Sequence, residues 1–526
     1  LAPMVANVQI SAHKIVSTDP ATGEVLREFE CLDDSEVRSA VLRAQEAQRQ
    51  WAASGVRKRI DTLRQFQRIL VDRKRHVAEA ITRESGKPVA EALTTEVLVV
   101  LDAARFLIKN AYRLLRDEPV PHGNLATKLK TGYLVREPCG VIGIISPWNY
   151  PFSIPATEAL AAMAAGNAVV LKPSEFTSLV ALELEALLHS SGVPENIFQV
   201  LTGDGTTGAA LVDSPVDKLI FTGSVATGKR IAKAAAERLL PVVLELGGKD
   251  PMLVLDDADI DVASSAAVWG AFMNAGQTCL SVERCYVHRS LYNMFLDACV
   301  DKISKLRVGP GIDPQTDVGP MIHEDQLRIV EVHVQDAVSQ GARVLAGGSR
   351  LSELGRNFYM PTLLADVTHG MRIMREETFG PVLPVMPFDG DEEAIKLAND
   401  SEFGLAASLW TRNHARGSAL ARRIQAGTVM VNDVISCFGI SEAPHGGVKC
   451  SGIGRTHGRF GLEEMVRCKY VDVDRMPGMK KVWWYAYGQR FARQMEAFID
   501  FQFARTWPQR IRGALHAAGV LRSGKL

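Results

Sequence analysis

A chain of 526 residues and 57.4 kDa exceeds what one hydrophobic core sustains, so two or three domains are expected. With 47% hydrophobic and 23% charged residues it reads as globular, and sixty basic residues against sixty acidic ones exclude a general attraction to nucleic acid or anionic lipid. Eight scattered cysteines without a Cys-x-x-Cys pair argue against a disulfide framework and a zinc site and for a reducing, cytoplasmic compartment.

The chain opens Leu1-Ala2-Pro3-Met4, an extended stretch with no basic, Ser-rich or signal-like pattern, so no targeting segment is expected, although Leu1 rather than Met stands first. Asp19-Pro20 and Thr22-Gly23 predict a turn or hairpin over residues 17–24. Asp34-Ser35-Glu36 supplies capping residues for a helix running to Trp51. Helical spacing continues over residues 57–76 and 91–115, whose lysines and arginines read as solvated outer faces.

β-Branched and aromatic content rises from Thr131 to Ile145 and ends in Pro147-Trp148-Asn149-Tyr150-Pro151, where two prolines fix a short loop at a strand end. An amide held there can donate to a developing oxyanion, but the triplet alone favours a turn asparagine bonding its own backbone. Residues 156–171 are the nearest approach to a membrane span, yet Glu158, Gly166, Asn167 and the many alanines make them a buried helix running into a strand.

Short β-rich runs at 168–171, 197–201, 218–221 and 241–244 alternate with helical stretches, which predicts a parallel sheet with crossover helices. Gly203-Asp-Gly205-Thr-Thr-Gly208 matches the dinucleotide fingerprint G-x-G-x-x-G. The acidic residue that should follow at the end of a second strand is missing, since Asp217 precedes its strand, so this run reads chiefly as a tight strand-to-helix turn. Glu245 closes the apolar run 241–244 beside Gly247-Gly248, and a carboxylate at such a strand end can face a cleft. Cys279 follows Gly276, which lets the backbone approach a ligand closely. Taken singly, such a cysteine is more often a small buried hydrophobe, and such a glutamate a surface or salt-bridged residue.

Together, Leu244-Glu-Leu-Gly-Gly-Lys249 and Asn274-Ala-Gly-Gln-Thr-Cys279, with 34 residues from Glu245 to Cys279, resemble the base and nucleophile motifs of the aldehyde dehydrogenase superfamily. The resemblance covers about residues 15–474 and implies an α/β protein. Its parts are a Rossmann-like parallel-sheet cofactor domain (1–117 and 139–247), an α/β catalytic domain (248–446) and a small β oligomerisation element (118–138 and 447–475). It makes Cys279 the nucleophile, Glu245 the activator of the hydrolytic water and Asn149 an oxyanion donor. Trp148, Phe221, Gly223, Ser224 and Leu246 become cofactor residues, with the phosphates near Phe221-Thr-Gly-Ser224 and with Gly228 further along the following helix. Lys172 and Glu175, in Lys172-Pro-Ser-Glu175, hold the adenosine ribose, and Glu175 leans the preference toward NAD, with NADP possible through a rotated glutamate. Glu377 and Phe379, in Glu377-Thr-Phe379-Gly-Pro, serve the nicotinamide end. No metal is expected, and the family suggests a homodimer or homotetramer joined through residues 128–137 and 469–473.

The expected reaction oxidises an aldehyde to a carboxylic acid through a thiohemiacetal and a thioester on Cys279. A CoA-acylating semialdehyde dehydrogenase is the rival enzyme, opposed by the presence of Glu245. A non-catalytic NAD-binding or structural protein is the other rival, opposed by the joint retention of Cys279, Glu245 and Asn149. Thr278, Leu280 and Phe438 suggest an apolar channel, favouring a medium or long aliphatic or an aromatic aldehyde over a charged one.

Residues 476–526 lie outside the resemblance. They hold nine Lys/Arg against Glu496 and Asp500, interleaved with aromatics from Trp483 to Trp507. They read as an extension packing its aromatics on a neighbouring subunit, preferred over membrane contact because Glu496 and Asp500 interrupt the apolar spacing and the Trp483–Tyr487 cluster is too short to anchor alone.

Overall fold

The computed structural model describes residues 13–124, 127–481, 483–485 and 487–521. The extended opening expected before residue 13, and Arg522 and Lys525 of the basic tail, lie outside these residues. Two compact units form: the described part of Leu1–Asp117 with Val135–Lys469, and Glu118–Leu134 with the described part of Tyr470–Leu526.

The larger unit contains two large sheets beside a two-stranded one. The first runs in the order Gly452–Ile453, Val242–Leu246, Lys218–Gly223, Val141–Ile145, Ala168–Lys172, Phe198–Val200. Its five strands from Val242–Leu246 onward are parallel, and only the short Gly452–Ile453 edge is antiparallel. Strand order reverses between Val141–Ile145 and Lys218–Gly223, so the chain leaves their C-terminal ends in opposite directions and opens a crevice there. These strands read as unbroken apolar runs because helices cover both faces, leaving Val141, Ile144, Val169, Leu171 and Ile220 fully buried.

The second sheet has seven strands, ordered Arg343–Ala346, Thr362–Ala365, Val382–Phe388, Val282–His288, Asp250–Val254, Ala406–Trp410, Thr428–Val431. All its neighbours are parallel except the first pair. Cys279 lies just ahead of the strand Val282–His288, and Glu245 lies inside Val242–Leu246 rather than at its end.

The hairpin predicted near residue 20 is present, as antiparallel Lys14–Thr18 and Val25–Glu30. The helix Asp34–Ala53 is capped by Asp33 rather than Asp34, with Glu36 completing the capping box. The next helix extends well past residue 76, over Val56–Ser85. The segment expected over 91–115 begins at Val89 and contains a π-helical turn, Ala92–Val97, before Leu98–Leu115. Arg59 departs from the solvated-face reading: it is buried, with Nε donating to the Ala164 carbonyl at 3.0 Å and Nη1 to that of Ala52 at 2.9 Å.

In the smaller unit Glu118–Val120, Lys130–Pro138 and Val466–Asp474 form a three-stranded sheet, the last two strands reaching into the larger unit's residues. His122 meets the Tyr470 hydroxyl at 2.7 Å across it, and Lys130 pairs with Asp472. The tail folds into two helices, Gln489–Phe503 and Trp507–Leu521, crossing closely at Gly513, where a Cβ would stand 2.7 Å from the Ala497 carbonyl oxygen.

Candidate active site

The crevice at the strand-order reversal is the floor of a cavity of about 310 Å³. The loop after Val141–Ile145 brings Trp148 and Asn149 to it; the end of Lys218–Gly223 brings Gly223 and Ser224; Val242–Leu246 brings Glu245 and Leu246. From the second sheet come Cys279, Glu377 and Phe379. The cavity thus gathers nine residues singled out in the sequence. Lys172 and Glu175 stand apart at the end of the neighbouring strand, where Lys172 Nζ lies 3.7 Å from Glu175 Oε2. Phe221 does not line the cavity: its ring is buried beneath Gly223, where a Cβ would stand 2.6 Å from it, so a bulkier side chain at 223 has no room.

Several buried contacts hold the polar groups in place. The Asn149 amide Nδ2 donates to the Gln277 carbonyl at 3.0 Å, leaving one N–H for the cavity. The Asn149 carbonyl accepts from Lys87 Nζ at 2.7 Å and from Asn274 Nδ2 at 3.0 Å. Lys87 is itself paired with Glu96 at 2.6 Å, both side chains fully buried, and Glu96 also accepts from the Phe152 and Ser153 amides. The nucleophile loop turns through Asn274 and Ala275, both left-handed, with the Asn274 N–H donating to Glu91 at 3.0 Å. Tyr150 and Thr278 share a hydroxyl hydrogen bond of 2.8 Å beside Cys279.

Glu377 sits on the glycine turn after Glu245, accepting from the Gly248 N–H at 2.9 Å; a Cβ at Gly247 would lie 2.4 Å from its carboxylate. Glu283 fixes the next turn, accepting from the Thr378 and Phe379 amides at 2.8 Å each while paired with buried Lys249. Phe379, with φ of 52°, stands edge-on to Trp148 with ring centroids 5.4 Å apart. His323 lies against Trp148 and stacks on Phe176 at 4.6 Å, extending this aromatic wall.

The Gly203–Gly208 turn carries its own anion. The Asp204 carboxylate caps the helix Gly205–Asp213, accepting from the Thr206 N–H at 2.8 Å, and contacts His13 at 2.6 Å. Despite its burial, these bonds pull its pKa down to about 2. The helix Val225–Glu237 opens instead on Ser224, at the cavity.

Electrostatically the site is tuned against charge. Burial, reinforced by Asp250, Glu377 and Glu245, pushes the Cys279 thiol well above its ordinary range. Burial and the facing Glu158 likewise raise Glu245, against a smaller opposing pull from Arg455, and Glu158 itself is pushed up to about 8 by burial. Neither Glu245 oxygen has a hydrogen-bond partner among the described residues, and the nearest basic group is His445 Nε2 at 3.8 Å. His445, held down to about 3, and His457, to about 4, are buried neutral imidazoles with Phe438 edge-on to both. A cavity of about 20 Å³ lined by Glu158, Thr456 and His457 adjoins them, large enough for a water. Sequence reasoning missed His323, His445, His457 and Glu158 as site residues, because no motif spacing links them to Glu245.

A second cavity of about 210 Å³ meets the first at Cys279, sharing Ile154 and Phe438 with it. Thr94, Val99, Trp269, Met273, Leu280 and Ile435 are among its walls, and no charged side chain among the described residues lines it. Ile435 is held at φ of 62°, a strained conformation for a β-branched residue.

A doubly wound sheet with a crevice at its reversal, and a thiol, a carboxylate and an amide converging on it, defines a dinucleotide-dependent oxidoreductase. The profile of the aldehyde dehydrogenase family matches residues 8–471. A 4,4'-diapolycopene aldehyde oxidase of a Methylomonas species is 40% identical over 93% of this chain and 91% of its own length. A putative succinate-semialdehyde dehydrogenase [NADP(+)] of Mycolicibacterium smegmatis is 38% identical over 86% of this chain and 88% of its own. The crystal structure of an NAD-dependent aldehyde dehydrogenase from Sinorhizobium meliloti superposes with a TM-score of 0.86 at 36% identity, covering 90% of this chain and 93% of that one. The chain belongs to the aldehyde dehydrogenase family and is an oxidoreductase acting on aldehydes with NAD(P)+.

Proposed function

We propose that the chain oxidises an apolar aldehyde to its carboxylic acid, with Cys279 as nucleophile, Asn149 as oxyanion donor and Glu245 as base. The observation that carries this reading is the convergence of these three side chains on one cavity, with an uncharged second cavity opening at the same sulfur.

The pocket fits a dinucleotide on two grounds: Gly223 and Gly247 line it with bare backbone, and the helix Val225–Glu237 begins at Ser224 on the same cavity. Ser224 and that helix start would receive phosphate, Lys172 and Glu175 the adenosine ribose, Glu377 the second ribose, and Trp148, Leu246 and Phe379 the nicotinamide end. Phe221 contributes by supporting Gly223. When bound, the cofactor supplies the hydride acceptor. Glu175 would repel a 2′-phosphate and Lys172 would attract one, which accommodates NAD with NADP as an alternative.

The Cys279 thiol gives up its proton to the Glu245 carboxylate, and its sulfur bonds to the carbonyl carbon, moving the C=O π electrons onto oxygen. The free Asn149 N–H and the Cys279 amide hold that oxyanion. Loss of hydride from the carbon leaves a thioester on Cys279. Glu245 then removes a proton from water as the water attacks, and collapse breaks the C–S bond, releasing the acid and the thiolate. His445, neutral and 3.8 Å from Glu245, faces the carboxyl without adding charge.

The uncharged walls of the second cavity support an apolar substrate over a succinate-semialdehyde type, whose carboxylate needs a cationic partner. The name of the Methylomonas relative, a 4,4'-diapolycopene aldehyde oxidase, points the same way. The two-sheet arrangement supports assigning 1–117 with 139–247 to cofactor binding, 248–446 to catalysis, and 118–138 with 447–475 to joining subunits as a homodimer or homotetramer. Eight free cysteines support a cytoplasmic setting. The test is NADH formation over a panel of aldehydes with the full chain and with Cys279→Ala. Turnover of apolar aldehydes that Cys279→Ala abolishes is expected; unchanged turnover in that variant overturns the assignment.

A further inference from the structure

The tail hairpin presents a stripe that nothing in the site uses. On its second helix Trp507, Ile511 and Leu515 recur every fourth residue on one side and are 76%, 56% and 68% exposed. Ile511 and Leu515 each stand two residues from Gly513, hence nearly opposite the seam with the first helix. Phe503, 71% exposed, ends the first helix, Arg505 occupies the turn, and Arg512 borders the stripe. Among the described residues no carboxylate pairs with Arg505 or Arg512. Glu496 and Asp500 do not interrupt this stripe, as the sequence suggested: they lie on the first helix, lining a groove with Arg490 and Arg493.

Charge decides the occupant. Nine cations against two acids give residues 476–526 a net charge of +7, while the whole chain is neutral, so the other residues carry −7. Two copies joined through this face would bring like charges together. A narrow row of Trp, Ile and Leu bordered by arginines matches an anionic bilayer surface, where the apolar row sinks to the acyl boundary and guanidiniums reach phosphate. No helix among the described residues is long and apolar enough to cross a membrane, so the hairpin lies along the surface.

We propose that the hairpin docks this protein on anionic phospholipid bilayers, with Phe503, Trp507, Ile511 and Leu515 inserted and Arg505 and Arg512 on the headgroups. The inference is independent of the substrate class. Sedimentation of the full chain with phosphatidylcholine vesicles, with and without about one-third phosphatidylglycerol, tests it. Binding to the anionic vesicles only, weakened by salt, is expected. Trp507→Ser/Ile511→Ser/Leu515→Ser and, separately, Arg505→Glu/Arg512→Glu should each reduce the bound fraction about tenfold while turnover of a water-soluble aldehyde stays unchanged, showing the fold intact. Absence of binding to anionic vesicles, undiminished binding by the apolar variant, or a fall in its particle mass by light scattering, which marks the stripe as a contact between copies, overturns the proposal.

Discussion

Glu245 shows how a single residue's surroundings set its chemistry. A carboxyl raised by burial keeps its proton to higher pH than an ordinary one, and because the base form is the working one, deacylation should quicken as pH rises. We expect kcat to climb with pH above the ordinary carboxylate range while KM changes little. His445→Phe removes the nearest basic group, so it should push Glu245 higher still. Kcat at neutral pH should then fall on the order of tenfold for each further pK unit, with the first-turnover burst of NADH retained and partial rescue by His445→Gln. A pH-rate profile with a rapid-mixing burst measures both. Cys279, Glu245 and Asn149 were legible in the sequence because each sits in a contiguous motif. His445 and Glu158 were not, since they reach Glu245 from segments far apart in the chain and a lone histidine or glutamate carries no pattern.

Among elements, the π-helical turn Ala92–Val97 does more than join two helices. It sets Glu96 inward, where its carboxylate bonds the amides that begin the helix Ser153–Ala165 and pairs with Lys87, which in turn holds the Asn149 carbonyl. Glu96→Ala leaves a buried ammonium without its counter-ion and two amide donors without their acceptor, so it should cost about 3–5 kcal/mol, measured as a fall in the denaturant midpoint. Lys87→Met/Glu96→Leu should recover much of that loss while still lowering kcat, because the Asn149 loop loses its tether. Parallel strands were readable from apolar runs alternating with helices. The π turn was not, since its residues keep ordinary helical spacing, and neither was the burial of Arg59 and Lys87, which depends on carbonyls and carboxylates from other segments.

For the whole molecule, sequence pattern gave the two-sheet α/β architecture and the place of the extension, but not the helical hairpin into which the extension folds, because aromatics and cations interleave without a clean period until the chain reverses at Ala504. The Methylomonas relative's match leaves only 7% of this chain uncovered, fewer residues than follow Arg475, so it runs into the tail. The separation of charge in this neutral chain also bears on its handling. An ion-exchange bead touches one side of a molecule and does not feel the sum of its charges. Although the isoelectric point is about 7.3, the protein should be retained on a cation exchanger above that pH at low ionic strength, and a chain ended at Asp474 should flow through. Both cavities are lined from within residues 94–456, so the shortened chain should keep its turnover of a water-soluble aldehyde within about twofold.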